Sequence, residues 1–441
     1  MNEQRALKRR RSTFFLIIIG LVHGCLTLVY SQQDQKVVIL NHADSLVGMD
    51  IDGEPAQQLI GHVKFTQGRV VVSCAKAIRY LKSKKITMEG EVEVLDSTMR
   101  MVSNRGIYHS EERVAEAFDR VLLEDGTTTL HAGYGKYFVD EKKARFTTNV
   151  LVQDTTSVLS AHELIYFRED QRSIAQGSVT ILNPENNLTI MGNHFEHFRK
   201  QKYSKMTDQP RLMQIDTAAD GTIDTLTVRS LVMESYADSV ERLVATDSVQ
   251  MIRNGLAAEA SVCIFYTDLD SIILRKNPFI WYTTEKSEDN QVSGDSIFIK
   301  LKKRKLETVF VRGRATAISR ADSLYSNRFN QMTGEEIIMH FANDKIQQID
   351  VDRTATSLYY LFDEGKPNGL NKTSGDQVTI TFVDGKINKI KVLADVEGQY
   401  FPEKMIKGRE SEYNLEGFNW REERPGKRRV VSMQKAVGSK Q

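Results

Sequence analysis

The stretch Thr87-Met88-Glu89-Gly90-Glu91-Val92-Glu93-Val94-Leu95-Asp96 alternates in character from one residue to the next. Met88, Gly90, Val92 and Val94 fall on one side, and Thr87, Glu89, Glu91 and Glu93 on the other. A period of two is the mark of a strand, here with one apolar face and one acidic, hydrated face. A lone strand cannot bury its apolar face, so the fold turns on what that face meets.

It meets further copies of itself. Val63, Val92, Val121, Val150 and Val179 stand at a stride of 29 residues. Two residues beyond each lie Phe65, Val94, Leu123, Val152 and Ile181, all apolar. Four beyond lie Gln67, Asp96, Asp125, Asp154 and Asn183, residues that favour turns. Nine beyond lie Val72, Met101, Leu130, Leu159 and Leu188. Sixteen beyond lie Arg79, Tyr108, Tyr137, Tyr166 and Phe195; in the first copy the tyrosine, Tyr80, comes one residue late, which predicts a bulge there.

A repeat of this length is one supersecondary unit, stacked along an axis. Each copy holds two strand-like runs, such as 129–139 and 144–152, without helical periodicity. Stacked copies line up their inward residues: Met88, Val92 and Val94; Val121 and Leu123; Phe146, Val150 and Val152; Val179 and Ile181. The rows also contain small residues, among them Gly90, Ala115, Ala117, Ala144, Ala175 and Gly177. Such residues leave an open lumen, or they let two sheets approach closely. Both readings stand at this stage, with the lumen slightly favoured.

Beyond Phe198 the pattern breaks into a polar, basic stretch, so 201–222 reads as a linker or long loop. Strands resume over 223–402 with a looser repeat. Gly294-Asp-Ser-Ile, Gly334-Glu-Glu-Ile and Gly375-Asp-Gln-Val begin equivalent runs at steps of 40 and 41, with longer loops expected to carry the extra residues. Residues 403–441 are polar and charged and read as a disordered basic tail. Five copies of a small–Asp–Ser–apolar motif, as at Asp44-Ser45, Asp238-Ser239, Asp247-Ser248, Asp295-Ser296 and Asp322-Ser323, argue against a catalytic pair. They suit capped bends.

At the start, Lys8-Arg9-Arg10-Arg11 precedes the apolar run from Phe14, and small residues follow at Ser31. That order fits a secretory signal over 1–31, with cleavage after Ser31. An uncleaved membrane anchor and a lipid-bearing Cys25 are the alternatives. The two later cysteines, Cys74 and Cys263, sit in apolar runs and read as buried side chains rather than a disulfide.

Of the 441 residues 40% are hydrophobic and 27% charged, and a net charge of +2 gives no basis for nucleic-acid binding. His194 and His197 are three apart in a strand context, which points them to opposite faces, so no metal site is expected. No phosphate-cradling glycine loop, nucleophile elbow or other catalytic set is present, and no cofactor is expected. An enzyme on a β-solenoid would need a cluster of acids or bases on one outer face, which the sequence does not offer.

The units Leu59-Ile-Gly-His-Val-Lys-Phe65, Met88-Glu-Gly-Glu-Val-Glu-Val94 and Ala175-Gln-Gly-Ser-Val-Thr-Ile181, with Ala-x4-Tyr endings at Ala132–Tyr137 and Ala161–Tyr166, resemble the OstA-like (organic solvent tolerance N-terminal domain) family. The likeness is clearest over 36–200 and weaker over 223–400. The Asp-Ser-apolar motifs look like those of Bacteroidetes-type members. The resemblance implies an all-β fold: an elongated antiparallel β-roll, also called a β-jelly roll or β-taco, built from tandem strand–turn–strand repeats. It implies a periplasmic lipopolysaccharide-transport bridge protein that holds lipid A acyl chains between its sheets. It also implies docking to other export components by edge-strand addition, and head-to-tail self-association. On that reading Phe65, Met88, Val92, Val94, Val121, Leu123, Phe146, Val150, Val152, Val179 and Ile181 face a lipid. The competing reading is a structural or adhesive solenoid with a dry core.

Overall fold

A computed structural model describes residues 37–426, apart from 97–98, 218–220, 222, 254, 267–268, 284–288, 303–304, 343–344 and 384–385. The expected signal segment lies outside the described residues. The structure is almost entirely antiparallel β; through most of it consecutive strands pair, while some, such as Tyr203–Thr207 with Val232–Tyr236, pair past intervening strands. The chain forms two compact units. Unit 1 gathers the described residues up to Thr217 together with Ser230–Ala245. Unit 2 gathers Ala218–Arg229, Thr246–Phe265 and the residues from Leu269 onward.

In unit 1 the strands come in the expected 29-residue pairs, for example Lys85–Asp96 with Met99–His109 and Val114–Asp125 with Thr128–Phe138. What the repeat did not announce is a sharp corner in the middle of every first strand. Two consecutive residues turn left-handed at Gly61/His62, Gly90/Glu91, Asp119/Arg120, Thr148/Asn149 and Gly177/Ser178. The pairing register shifts at each of these points, as between Glu89 and Val92. A two-residue bulge of this kind bends a strand and raises its twist. Each strand therefore has two arms, and the sheet folds over along the line of corners. The valine of the repeat is the first residue of the second arm, pointing inward.

Two details of unit 1 differ from the sequence reading. The run from Ala56↔Tyr80 to Ile60↔Lys76 is unbroken, so no bulge separates Arg79 from Tyr80. Arg79 pairs with Ile86, which pairs with Tyr108, and so Arg79 itself occupies the column. Second, 201–222 is not simply a linker. Tyr203–Thr207 and Arg211–Thr217 pair with the two halves of Leu188–Phe198. Between them Asp208 and Gln209 are left-handed, so this is one more cornered strand with its bend two residues late. Ser204 and Met206 are buried and Lys205 alternates with them; the charged face concealed the strand.

Unit 2 uses the same device, with corners at Gly313/Arg314, Arg353/Thr354 and Ala394/Asp395. The glycines that began the looser repeat lie opposite these corners. A Cβ on Gly294, Gly334 or Gly375 would come within 2.6–2.7 Å of Val311, Val351 or Val392. The extra residues of this repeat are only partly in loops, as over 321–328. Pairing runs out to Lys302↔Lys305, Ala342↔Lys345 and Val383↔Lys386, and the strands themselves are longer, up to 19 residues in Lys345–Asp363.

The C-terminal segment corrects the expectation of a disordered tail. Residues 403–426 are ordered against unit 2; 427–441 lie outside the described residues. Ile406 and Leu415 pack on Leu358, Tyr360 and Leu370. Gln331 donates to Asn414 and accepts from the Leu415 amide. Further on, the main chain of Arg421 accepts from Trp281 and exchanges two hydrogen bonds with Gln291. Ala355 and Leu358 are an odd number of residues apart on one arm, so they face opposite sides. Both are at most 1% exposed. The arm is thus apolar on both faces, and the segment covers the outer one. Charge misled the reading because the apolar residues of the segment are widely spaced and their partners lie on distant strands.

Candidate functional site

The inward column is continuous. Val63, Val92, Val121, Val150 and Val179 are each at most 1% exposed. Phe65, Met88, Leu123, Phe146, Val152 and Ile181 are buried with them, while Val94 is half-buried. Of the eleven positions expected to face inward, ten are therefore in the core of unit 1 and one is at its margin. The second strands of each pair contribute Cys74, Leu130, Leu159, Leu164 and Ile190.

The two arms meet across this interior. Leu59, Ile86 and Met88 precede their corners, Val63, Phe65 and Val92 follow theirs, and all belong to one packed cluster. Small residues serve close approach. A Cβ on Gly106 would lie 3.3 Å from Val92 and Met88, and one on Gly135 3.2 Å from Phe146. Ala117 and Ala175 are 2% and 0% exposed. The interior here is filled by side chains, so of the two readings of the small residues the slightly favoured lumen gives way to close packing. Gly90 and Gly177 have a separate role, at corners with φ of 76° and 77°.

Two thiols and one imidazole are among the buried polar groups of the two units. Cys74 and Cys263 are buried and free, and burial pushes their thiols up to about 11 and about 12. His197 is buried, 2.9 Å from Ser204 Oγ through Nδ1, and burial together with Arg199 pushes it down to about 4. His194 lies on the other face and contacts Glu196 and Gln176. Among the described residues no group of three or more His, Cys, Asp or Glu side chains could hold a metal ion.

The Asp-Ser motifs cap bends in different settings. Asp238 and Asp322 accept from the amides of Val240 and Leu324. Asp44 and Asp295 sit against the corner glycines Gly61 and Gly313, and Asp247/Ser248 is itself a left-handed corner. On the outer surface, ion pairs, exposed except at the half-buried Arg113, join each repeat to the next: Lys84–Glu111, Arg113–Asp140 and Lys142–Glu169 at 2.6, 2.7 and 2.7 Å. Sequence reading missed this ladder, although its charges recur at the repeat stride.

The first strands of unit 1, Ile39–His42 and Ser45–Ile51, pair with Glu54–Gln67 on one side only among the described residues. Val37, Ile39, Leu46, Val47 and Met49 are exposed there. An apolar strand with an unpaired edge is a template for strand addition.

Taken together, these features define a class: an all-β tandem-repeat roll whose distinctive surface is a continuous apolar interior. Residues 35–190 match the family described as OstA-like protein. That family is a periplasmic transport and bridge family. No curated protein matches the chain. Among the described residues no helix is long and apolar enough to cross a membrane.

Proposed function

We propose that the protein is a periplasmic bridge of lipopolysaccharide transport, shielding acyl chains between the arms of its roll. The observation that carries this reading is the buried valine column within an OstA-like domain. An acyl chain gains roughly 0.8 kcal/mol per buried CH₂. About ten methylenes then gain ~8 kcal/mol, comparable with the whole stability of a typical domain. Insertion can therefore part arms that pack on each other in the lipid-free state, with no catalytic group involved. Equivalent positions every 29 residues let the chain slide. The apolar edge at Ile39–His42 and Ser45–Ile51 serves as the docking strand for another export component or a second copy.

The test uses the unmodified protein and lipopolysaccharide carrying a photoreactive group on an acyl chain. Adducts mapped by mass spectrometry are expected at Val92, Val121, Val150 and their inward neighbours. Adducts no more frequent there than at the exposed Glu91 would overturn the proposal. The closed packing favours one second reading, a structural solenoid with a dry core. Under it no acyl adduct forms inside at any lipid concentration.

A further inference from the structure

The side of unit 1 opposite the corners is shut by polar groups. Two columns of the repeat meet there. One comprises the hairpin-end residues Gln67, Asp96, Asp125, Asp154 and Asn183; the other comprises Tyr108, Tyr137 and Tyr166, with Phe195 in the place opposite Asp154, whose carboxylate bonds Thr156 and Ser157 of its own hairpin. Side chains at hairpin ends ordinarily face water. Here Asp96, Asp125 and Asn183 are only 6–8% exposed, and the adjacent Thr128 is 2% exposed.

At Gln67, Asp96 and Asp125 the other arm supplies the cover, whereas Asn183 accepts from Asn186 of its own hairpin. Tyr108 Oη donates to Gln67 Oε1 at 3.0 Å, across 41 residues of chain. Arg168 Nη1 donates to Asp96 Oδ2 at 3.3 Å and also hydrogen-bonds Tyr137, and Arg69 pairs with the same carboxylate at 2.8 Å. Asp125 lies close enough to Tyr166 to act on its titration. Tyr137 and Tyr166 stand at the same offset from Asp96 and Asp125 as Tyr108 does from Gln67. Their cross-strand neighbours Ala144 and Ser173 are small, as is Ala115 beside Tyr108, which leaves the rings room at the rim.

The two closures of the roll differ in kind. At the corners the backbone is continuous. At the rim, among the described residues, side chains hold the arms, and each bond broken there is replaced by one to water, so its net worth is about a factor of ten in an equilibrium. Parting the rim also leaves its own groups hydrated rather than stranded.

We infer that unit 1 opens sideways along this Tyr–Asp seam while its corners and strands stay intact, and that cargo enters there rather than through an end. The entry of cargo rests on the proposed function; the opening does not.

Cys74 is a native reporter. It is buried in the cluster against which Tyr108 packs, while Cys263 lies in the core of unit 2. Thiol labelling of both can be read by peptide mass spectrometry in the full chain. Tyr108→Phe and Arg168→Gln are expected to speed Cys74 labelling about tenfold each, the effect of one lost net hydrogen bond. Cys263 labelling is expected to stay unchanged, and urea is expected to speed Cys74 labelling less steeply than it drives global unfolding, because the opening exposes only part of the interior of unit 1. A Cys74 rate that does not change, or that rises only in step with urea-driven unfolding, overturns the seam. Lipopolysaccharide is expected to protect Cys74 in the fast-labelling variants. If it gives no protection while those variants still label fast, the cargo reading fails and the seam stands.

Discussion

The guanidinium of Arg328 grips the carboxylate of Glu403 through two hydrogen bonds of 2.7 and 2.9 Å. The same Nη2 donates to Glu410 at 3.1 Å. Arg328 and Glu410 are 2% and 8% exposed and Glu403 is half-buried, so this cluster is a largely buried charge triad that fastens the C-terminal segment to unit 2. Removing one member of a buried pair leaves its partner desolvated. Arg328→Met is therefore expected to cost about 3 kcal/mol in unit 2, since two carboxylates lose their cation. Limited proteolysis checks this: cleavage within 403–426 should become fast in the variant at a urea concentration where the wild type resists. Equal resistance would mean that Ile406 and Leu415 hold the segment without the triad.

The corners predict substitutions of opposite sign. Gly90 has φ of 76°, and a Cβ there would lie 2.8 Å from the Ala75 Cβ. Gly90→Ala is expected to destabilise by about 2 kcal/mol, combining left-handed strain with a clash. Thr148 occupies the equivalent corner with φ of 68° and is exposed. A β-branched residue is strained there, so Thr148→Gly is expected to stabilise by about 1 kcal/mol. Urea unfolding midpoints of the two variants should move in opposite directions from the wild type.

These corners also mark where the sequence stops being readable. The valine column could be read because inward parity in a strand depends only on the residue two places away. The corner could be read only where glycine marks it, at Gly61, Gly90 and Gly177. Asp119/Arg120 and Thr148/Asn149 adopt the same backbone without glycine, because the register imposed by neighbouring strands demands it. The seam was visible as two separate columns, yet their meeting follows from the stagger of the arms, which no local pattern encodes. The strand over 203–217 and the segment over 403–426 were hidden by charged outward residues. In both, a few apolar side chains such as Met206 and Ile406 decide the placement.

Close packing of the interior sets a third expectation. Val92→Ala, Val121→Ala and Val150→Ala each remove two methyl groups from a filled space and should each cost about 2 kcal/mol, the loss of transfer energy plus a cavity. The three values should agree, because the positions are equivalent in the repeat. Val47→Ala, at a position 48% exposed, should change stability by no more than about 0.5 kcal/mol. Thermal or urea unfolding measures all four. Losses near zero at the inward sites would mean that the arms do not rest on each other in solution.

His197 makes the stability of unit 1 depend on pH. Its imidazole is buried with Nε2 lacking a partner, and burial together with Arg199 pushes its titration down to about 4, from an ordinary value of 6.5. Between those values the unfolded chain binds a proton that the folded chain refuses. Acid therefore favours unfolding in that window. The neutral ring's contribution is fully present above about pH 6.5 and is lost as the pH falls toward 4, at about 1.4 kcal/mol per unit. From about pH 7.5 to about pH 5 the wild type should lose ~2 kcal/mol more than His197→Gln, which keeps a polar group beside Ser204 but cannot titrate. Carboxylates elsewhere affect both proteins alike and cancel in the comparison. Urea midpoints at the two pH values measure the difference, and parallel losses in the two proteins would show that another group governs the acid sensitivity of this unit.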